Sequence, residues 1–201
     1  MTVNNSNPTI IGNGVWIDPR VQFGEKVTIG HGSCIGFPDE DESELKIMDN
    51  VSIGAFCVIS MGSVLEKNVS LEHYCRVDSR STIGENTKLL YGARVHWKVT
   101  IGKDSVIGGN APDRTIIGNN VRHFGRLVHD QRDRSGEWDG TEEPSPVIRD
   151  RALIGANAII IGGIEIGEDS IIAANEVVKV NVPPKSIFSH GKIKQIMPKG
   201  T

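Results

Sequence analysis

Leucine is scarce, with only seven in 201 residues against 25 isoleucines and 19 valines. Helical cores favour leucine and strands favour β-branched residues, so an all-helical protein is excluded. Aromatics are few as well, at three Trp, two Tyr and five Phe, which is thin for a sandwich core. No run approaches the ~20 apolar residues that a membrane-spanning helix needs. Met1–Pro8 lacks the charged start and apolar stretch of a secretory signal. Charge of one sign is missing too: 22 basic against 25 acidic residues give a net charge of −3, without the basic face of a nucleic-acid binder. Cys34, Cys57 and Cys75 form no metal-type pair and leave one over, so a reducing, cytoplasmic setting is expected. Glycine, by contrast, is abundant, at 23 residues.

What is present is a period of six. Ile47, Ile53, Ile59, Leu65, Leu71, Val77, Ile83, Leu89, Val95, Ile101 and Ile107 are eleven consecutive aliphatic positions at that step. The same phase runs earlier through Ile11, Ile17, Phe23, Ile29 and Ile35, and a second train runs from Ile148 to Val178. Four residues after each aliphatic lies a small or β-branched residue, as at Val51, Cys57, Ser63, Val69 and Cys75. The residue just after the aliphatic is often glycine, as in Ile29-Gly30, Ile53-Gly54 and Ile83-Gly84. Six matches neither a helix nor a flat alternating strand. It matches a triangular coil of three short sides, with glycine read as easing the corner. Coils of 18 residues stack at ~4.8 Å by parallel pairing, so about nine coils make a prism of roughly 40 Å. Cys57 and Cys75 then sit one above the other as core fillers.

Chemistry is expected where the pattern fails. The segment 36–44 places Asp39 and Asp41 in interior columns and is expected to leave the coil as an acidic surface loop. Between Ile107 and Ile117 the spacing is ten, read as four extra residues bulging out; His123 and His129 are read as the next two column positions. The repeat then vanishes over 130–146 and returns out of phase at Pro146-Val147-Ile148. A polar loop of that length inside a compact domain is usually functional or disordered.

The repeated [Ile/Leu/Val]-[Gly/Ala/Asp/Glu]-x-x-[small]-x resembles the hexapeptide-repeat family. That resemblance implies an all-β, left-handed parallel β-helix occupying 1–201 as one domain, with a tail at 185–201. Leu127-Val128-His129-Asp130, the long loop, Pro146-Val147-Ile148 and then Leu153-Ile154-Gly155-Ala156-Asn157-Ala158 are similar to the sugar and xenobiotic acetyltransferases of the family. Those enzymes carry a catalytic histidine at the root of such a loop. Ile166–Lys179 resembles their last coil, whose backbone contacts acetyl-CoA, and Lys194 lines up with their cationic position. The usual Gly-x-Pro turn is replaced by Ser186–Lys194. The resemblance implies a CoA-dependent acyltransferase acting on a sugar, sugar nucleotide or similar polar metabolite. It also implies a homotrimer with sites between subunits and no metal.

Acyl transfer needs a slot for pantetheine, cations for phosphates and a base for the acceptor. Ala156, Ala173 and Ala174 offer low walls for the slot, and Lys179, Lys192 and Lys194 offer the cations. His129 is the preferred base, with Asp130 positioned to orient an imidazole. His123 is expected to be structural or substrate-binding. His73, Asp78 and His96 interrupt regular coils, where one of them would reach a neighbouring subunit's site. Trp138, among Glu137, Asp139, Glu142 and Glu143, suits packing against a sugar. His31 and His190 read as surface or tail residues. Two rival readings remain. A zinc enzyme of the carbonic-anhydrase branch needs converging histidines, but no His-x4-His pair is present. A non-catalytic scaffold would use the prism only as a surface. A nucleotidyltransferase would need a nucleotide-binding domain, for which the sequence leaves no room.

Overall fold

The computed structural model describes residues 10–38, 43–130 and 143–197. Among these, every regular element is a strand, most of them two residues long, arranged in three sheets that are parallel except for the last strand. Sheet A holds eleven strands, from Ile10–Ile11 to Lys192–Gln195. Sheet B holds nine, from Trp16–Ile17 to Val177–Val178, and sheet C holds eight, from Gln22–Phe23 to Glu165–Ile166. Partners lie 18 residues apart through the regular coils, as in Leu71↔Leu89, Val77↔Val95 and Ile83↔Ile101. The aliphatic columns fill the interior: Ile47, Leu65, Ile83, Leu89, Val95, Ile101 and Ile107 are all buried. Cys57 and Cys75 are buried among them. No helix among the described residues is long and apolar enough to cross a membrane.

The glycine after each aliphatic has a different job from the expected one. Gly30, Gly54 and Gly84 do not adopt positive φ. A Cβ on any of them would instead lie 2.5–2.6 Å from the backbone of the next coil, so glycine here permits close stacking. The turn itself is made two residues later, by a left-handed residue repeated up each edge. The edge between C and A carries Asn50, Asn68, Asn86 and Asp104 in this conformation, residue types that tolerate it. Their amides bond coil to coil at 3.2, 2.9 and 2.9 Å. The edge between A and B carries Phe56 and Tyr74 (φ 57° and 61°), stacked at 5.2 Å, with Tyr91 against Tyr74 at 5.3 Å. The edge between B and C carries Arg80, Lys98 and Arg114. Its Trp97 lies 3.9 Å from the Lys98 ammonium and 5.7 Å from Arg80.

The irregular stretch after Ile107 is shorter than a normal side, not longer. Ala111, four residues on, is the next interior residue, and Ile117 follows at the normal six. Nothing bulges; the corner at Gly108-Gly109 simply omits two residues, so Arg94 pairs with Asn110 and Val106 with Arg122, each 16 apart. The corner one coil further on along the same edge, Phe124-Gly125, omits two as well. The interior column therefore runs His123, Leu127, and His129 lies beyond it. Glycine is required because the shortened corners touch. A Cβ on Gly109 would sit 1.8 Å from the carbonyl oxygen of Gly125, which is backbone and cannot swing away. Gly109→Ala is expected to cost about 2–3 kcal/mol, measured as a fall in urea midpoint. Gly92→Ala, where the added Cβ meets nothing within 4 Å, should lose only about 1 kcal/mol, from its left-handed φ.

Both long excursions leave the same edge, between sheets B and C. The acidic one leaves after Cys34–Phe37, and the late one leaves after Arg126–Val128 and returns at Val147–Ile148. Asp39 and Asp41 lie outside the described residues.

Candidate active site

The late excursion is pinned at both ends. Gly162 N–H donates to the Val128 carbonyl (2.9 Å), and a Cβ on Gly162 would stand 3.0 Å from that of Asp130. On the return side the Ser145 hydroxyl donates to Asp113 O, and Arg114 donates to the Glu143 carbonyl at 3.5 Å. His129 sits in this root. Both its ring nitrogens are shielded from solvent, and neither has a hydrogen-bond partner among the described residues. Buried polar atoms are normally paired. An imidazole left with a free lone pair and a free N–H at a loop root is equipped to exchange a proton with something that arrives later. Asp130, half-buried beside it, has an interaction of its own. Trp138 lies outside the described residues.

A second polar group lies on the outer face of sheet B. Arg76 Nε bonds Asp78 at 2.5 Å, and the other Asp78 oxygen lies 3.6 Å from His96 Nδ1. His96 Nε2 is 2.8 Å from Asn110 Oδ1, and Asn110 Nδ2 donates to the Leu127 carbonyl at 3.3 Å. A carbonyl only accepts, so it fixes the Asn110 amide with its oxygen toward His96. His96 Nε2 is therefore the donor, and that nitrogen is already committed. Asp78 and His96 are thus brought together; His73 is not with them. It lies exposed on the aromatic edge, where its Nδ1 accepts the Ala55 amide at 2.8 Å, as His31 accepts that of Asn13.

Of the two expectations for His123, structural or substrate-binding, its burial agrees with the structural one. It lies fully buried in the core, between Ile107 and Ile154 in the ladder, with Nε2 3.2 Å from Asn110 O. Burial holds its pKa down to about 4. Sequence reasoning missed Asn110, and it missed Arg94 and Arg126 in the same outward row. The arginine side chains make no ion pair or hydrogen bond to the described residues. The signal available was the doubled glycine before Asn110.

Ala156, Ala173 and Ala174 lie where the last coils turn from sheet A to sheet B, with Ala156 and Ala174 exposed. A Cβ on Gly155 would be 2.6 Å from Ala174 N. Lys179 is exposed nearby. The tail doubles back: Ser186–Ser189 adds to sheet A, and Lys192–Gln195 pairs with it antiparallel, so Lys192 and Lys194 are exposed on the outermost strand. Glu176 anchors this hairpin by accepting the amides of His190 (2.6 Å) and Gly191 (3.2 Å). The alanine edge and the His129 root occupy different edges of the prism. Six residues separate Ala156 from Gly162, at most ~20 Å of extended chain, and sheet B lies between. One chain alone does not bring the imidazole to the alanine edge. Among the described residues no group of three His, Cys, Asp or Glu side chains is placed to share a metal ion.

Residues 8–37 and 145–175 match the bacterial transferase hexapeptide model of six repeats. The chain stacks the same kind of coil between those segments, a three-sheet parallel β-solenoid consistent with the hexapeptide-repeat left-handed β-helix. It is 52% identical over 42 residues (21% of this chain) to serine acetyltransferase from Mycobacterium tuberculosis, covering 18% of that protein. It is 26% identical over 208 residues (96% of this chain) to the bifunctional protein GlmU of Thermotoga petrophila, covering 40% of it. The chain thus spans well under half the length of either relative. Among solved structures, UDP-N-acetylglucosamine acyltransferase from Campylobacter jejuni shares the fold, with a TM-score of 0.52 at 15% identity over 91% of this chain and 72% of that one.

Proposed function

We propose that this chain is an acyltransferase that moves an acyl group, by preference acetyl, from acyl-CoA to a hydroxyl or amine of a sugar or sugar nucleotide. The observation that carries this reading is His129, an imidazole with both nitrogens unpaired at the root of the late loop. In this reading His129 takes the proton of the acceptor O–H or N–H as that atom attacks the thioester carbonyl. The C–S bond breaks, and the proton passes to the departing thiolate. Holding both substrates in one complex supplies much of the acceleration. The low alanine edge at Ala156, Ala173 and Ala174 suits the extended pantetheine, and Lys179, Lys192 and Lys194 suit its phosphates as point charges.

Because that edge and His129 lie on different edges of one prism, the complete site is assigned to neighbouring copies in a homotrimer. The alanine edge of one copy then faces the loop root of the next. Arg94 and Arg126 make the face leading to His129 positive, which favours a phosphorylated acceptor over a neutral sugar. The three free thiols fit a cytoplasmic protein.

The test is thiol release from acetyl-CoA across a panel of amino sugars, free sugars and nucleoside-diphosphate sugars. Acceptor-dependent release is expected, greatest for nucleotide-linked acceptors and weakened by added salt. Release with none of them, together with no detectable binding of CoA, would replace this reading with that of a scaffold.

A further inference from the structure

The hydrogen-bond ladder of sheet B lacks a backbone donor at residue 112. In this sheet the residue after each interior position donates its amide to the interior residue of the next coil: Asp18 to Ile35 O (2.9 Å), Asp78 to Val95 O (2.8 Å), His96 to Ala111 O (2.9 Å). The next donor in the series, aimed at Leu127 O, would be residue 112. That residue is Pro112, which has no N–H to give. The ladder registers the loss. The two strands here share one Cα pair, Asn110↔Arg126, where the pairs below and above share two and three. Leu127 O is served instead by Asn110 Nδ2 at 3.3 Å.

We infer that Asn110, held by His96 and Asp78, replaces the amide that Pro112 lacks and thereby positions the strand end from which His129 projects. Three contacts fix the Asn110 unit. Its Oδ1 accepts from His96 Nε2 at 2.8 Å, its carbonyl bonds His123 Nε2 at 3.2 Å, and its Nδ2 holds Leu127. Asp78, itself held by Arg76, lies 3.6 Å from the far nitrogen of His96. His129 is two residues beyond Leu127, and Val128 between them is the residue that takes the Gly162 amide. His96 is thus a positioning residue. Its Nε2 is already donating, and the proton it holds serves Asn110. The functional half of this inference rests on the His129 reading above; the structural half does not.

The test uses the full chain with two substitutions and two measurements. His96→Leu removes the donor, whereas His96→Gln offers an amide N–H close to the position of the imidazole Nε2. Hydrogen exchange at the Gly162 amide reports how firmly Val128 is held, and the Gly54 amide, which donates to Leu71 O, serves as a distant control. In His96→Leu, protection at Gly162 should fall about tenfold, the worth of one lost hydrogen bond, with Gly54 unchanged. Its kcat should fall by a similar factor while KM for acetyl-CoA stays put. His96→Gln should restore most of both.

Unchanged protection at Gly162 in His96→Leu overturns the inference. So does a His96→Gln variant as impaired as His96→Leu, which would make the ring itself the reactive group. If the exchange result holds while His129→Ala keeps full turnover, the relay stands and the acyl-transfer assignment of His129 falls.

Discussion

His129→Ala lowers turnover by at least about a hundredfold, the usual worth of a general base, and leaves KM for acyl-CoA within about twofold. His129 has no hydrogen-bond partner among the described residues, so removing its ring breaks no bond that holds the loop root. Little stability should therefore be lost, and the urea midpoint of the variant is expected to stay close to that of the parent. The kinetic loss, in contrast, falls on the step in which the acceptor proton leaves. Loss of kcat with KM and stability preserved is the signature of an interaction made only in the transition state. A variant that retains full kcat would exclude His129 as the base. One that unfolds would show that the ring supports the root by packing. His129→Gln sharpens the comparison, because it keeps much of the volume and a hydrogen-bonding end but supplies no basic nitrogen at neutral pH. It should be about as slow as the alanine variant.

The column of eleven aliphatics was legible because each one points into the same dry interior, so every sixth position obeys one constraint for many coils. Counting by six assumes that every side has the same length, and that assumption fails at Gly108-Gly109 and Phe124-Gly125. There the column is kept by Ala111 and Leu127, while the count assigns the interior place to His129. Only backbone proximity distinguishes a shortened corner from an inserted one, and the cue lies in the glycines themselves. Gly109, where an added Cβ would stand 1.8 Å from Gly125 O, cannot be anything else. The choice of His129 as the candidate base comes from a separate cue, the polar segment that begins directly after it, which does not depend on the column. The relay through Asn110 was not legible, because it joins residues 78, 96, 110 and 127 across four coils. The sequence shows Pro112 but not which carbonyl its missing amide would have served. The separation of the alanine edge from the loop root was equally hidden, because it depends on which side of the triangle each residue turns.

Stability should fall steeply as the pH drops from about 6.5 toward 4, and His123 should account for most of that fall. Its Nε2 faces the Asn110 carbonyl, which can only accept, so the proton resides on Nε2. Nδ1 is buried without a partner among the described residues. Protonating it would place a charge and an unsatisfied N–H among Ile107, Leu127 and Ile154, which is why burial holds the folded pKa down to about 4 against an ordinary 6.5. Between those values the unfolded chain binds a proton that the folded chain refuses. Stability therefore rises with pH across the window and is lost as the pH falls through it. The 2.5-unit gap corresponds to about 3 kcal/mol at 1.36 kcal/mol per unit. The carboxylates whose pKa values fall below their ordinary 3.8 or 4.5, among them Asp49, held by the Glu25 amide and Lys67, and Glu165 beside Arg149, lose their contribution at lower pH. They leave the interval above about 4.5 largely to histidine. Urea titrations at pH 7 and pH 4.5 on the parent and on His123→Leu isolate the effect. The parent should lose about 2–3 kcal/mol between the two. His123→Leu should start about 1 kcal/mol lower at pH 7, with the Asn110 carbonyl deprived of its donor, and then lose far less on acidification. Parallel pH slopes in the two proteins would mean that His123 is reached by solvent, and protonated, without unfolding.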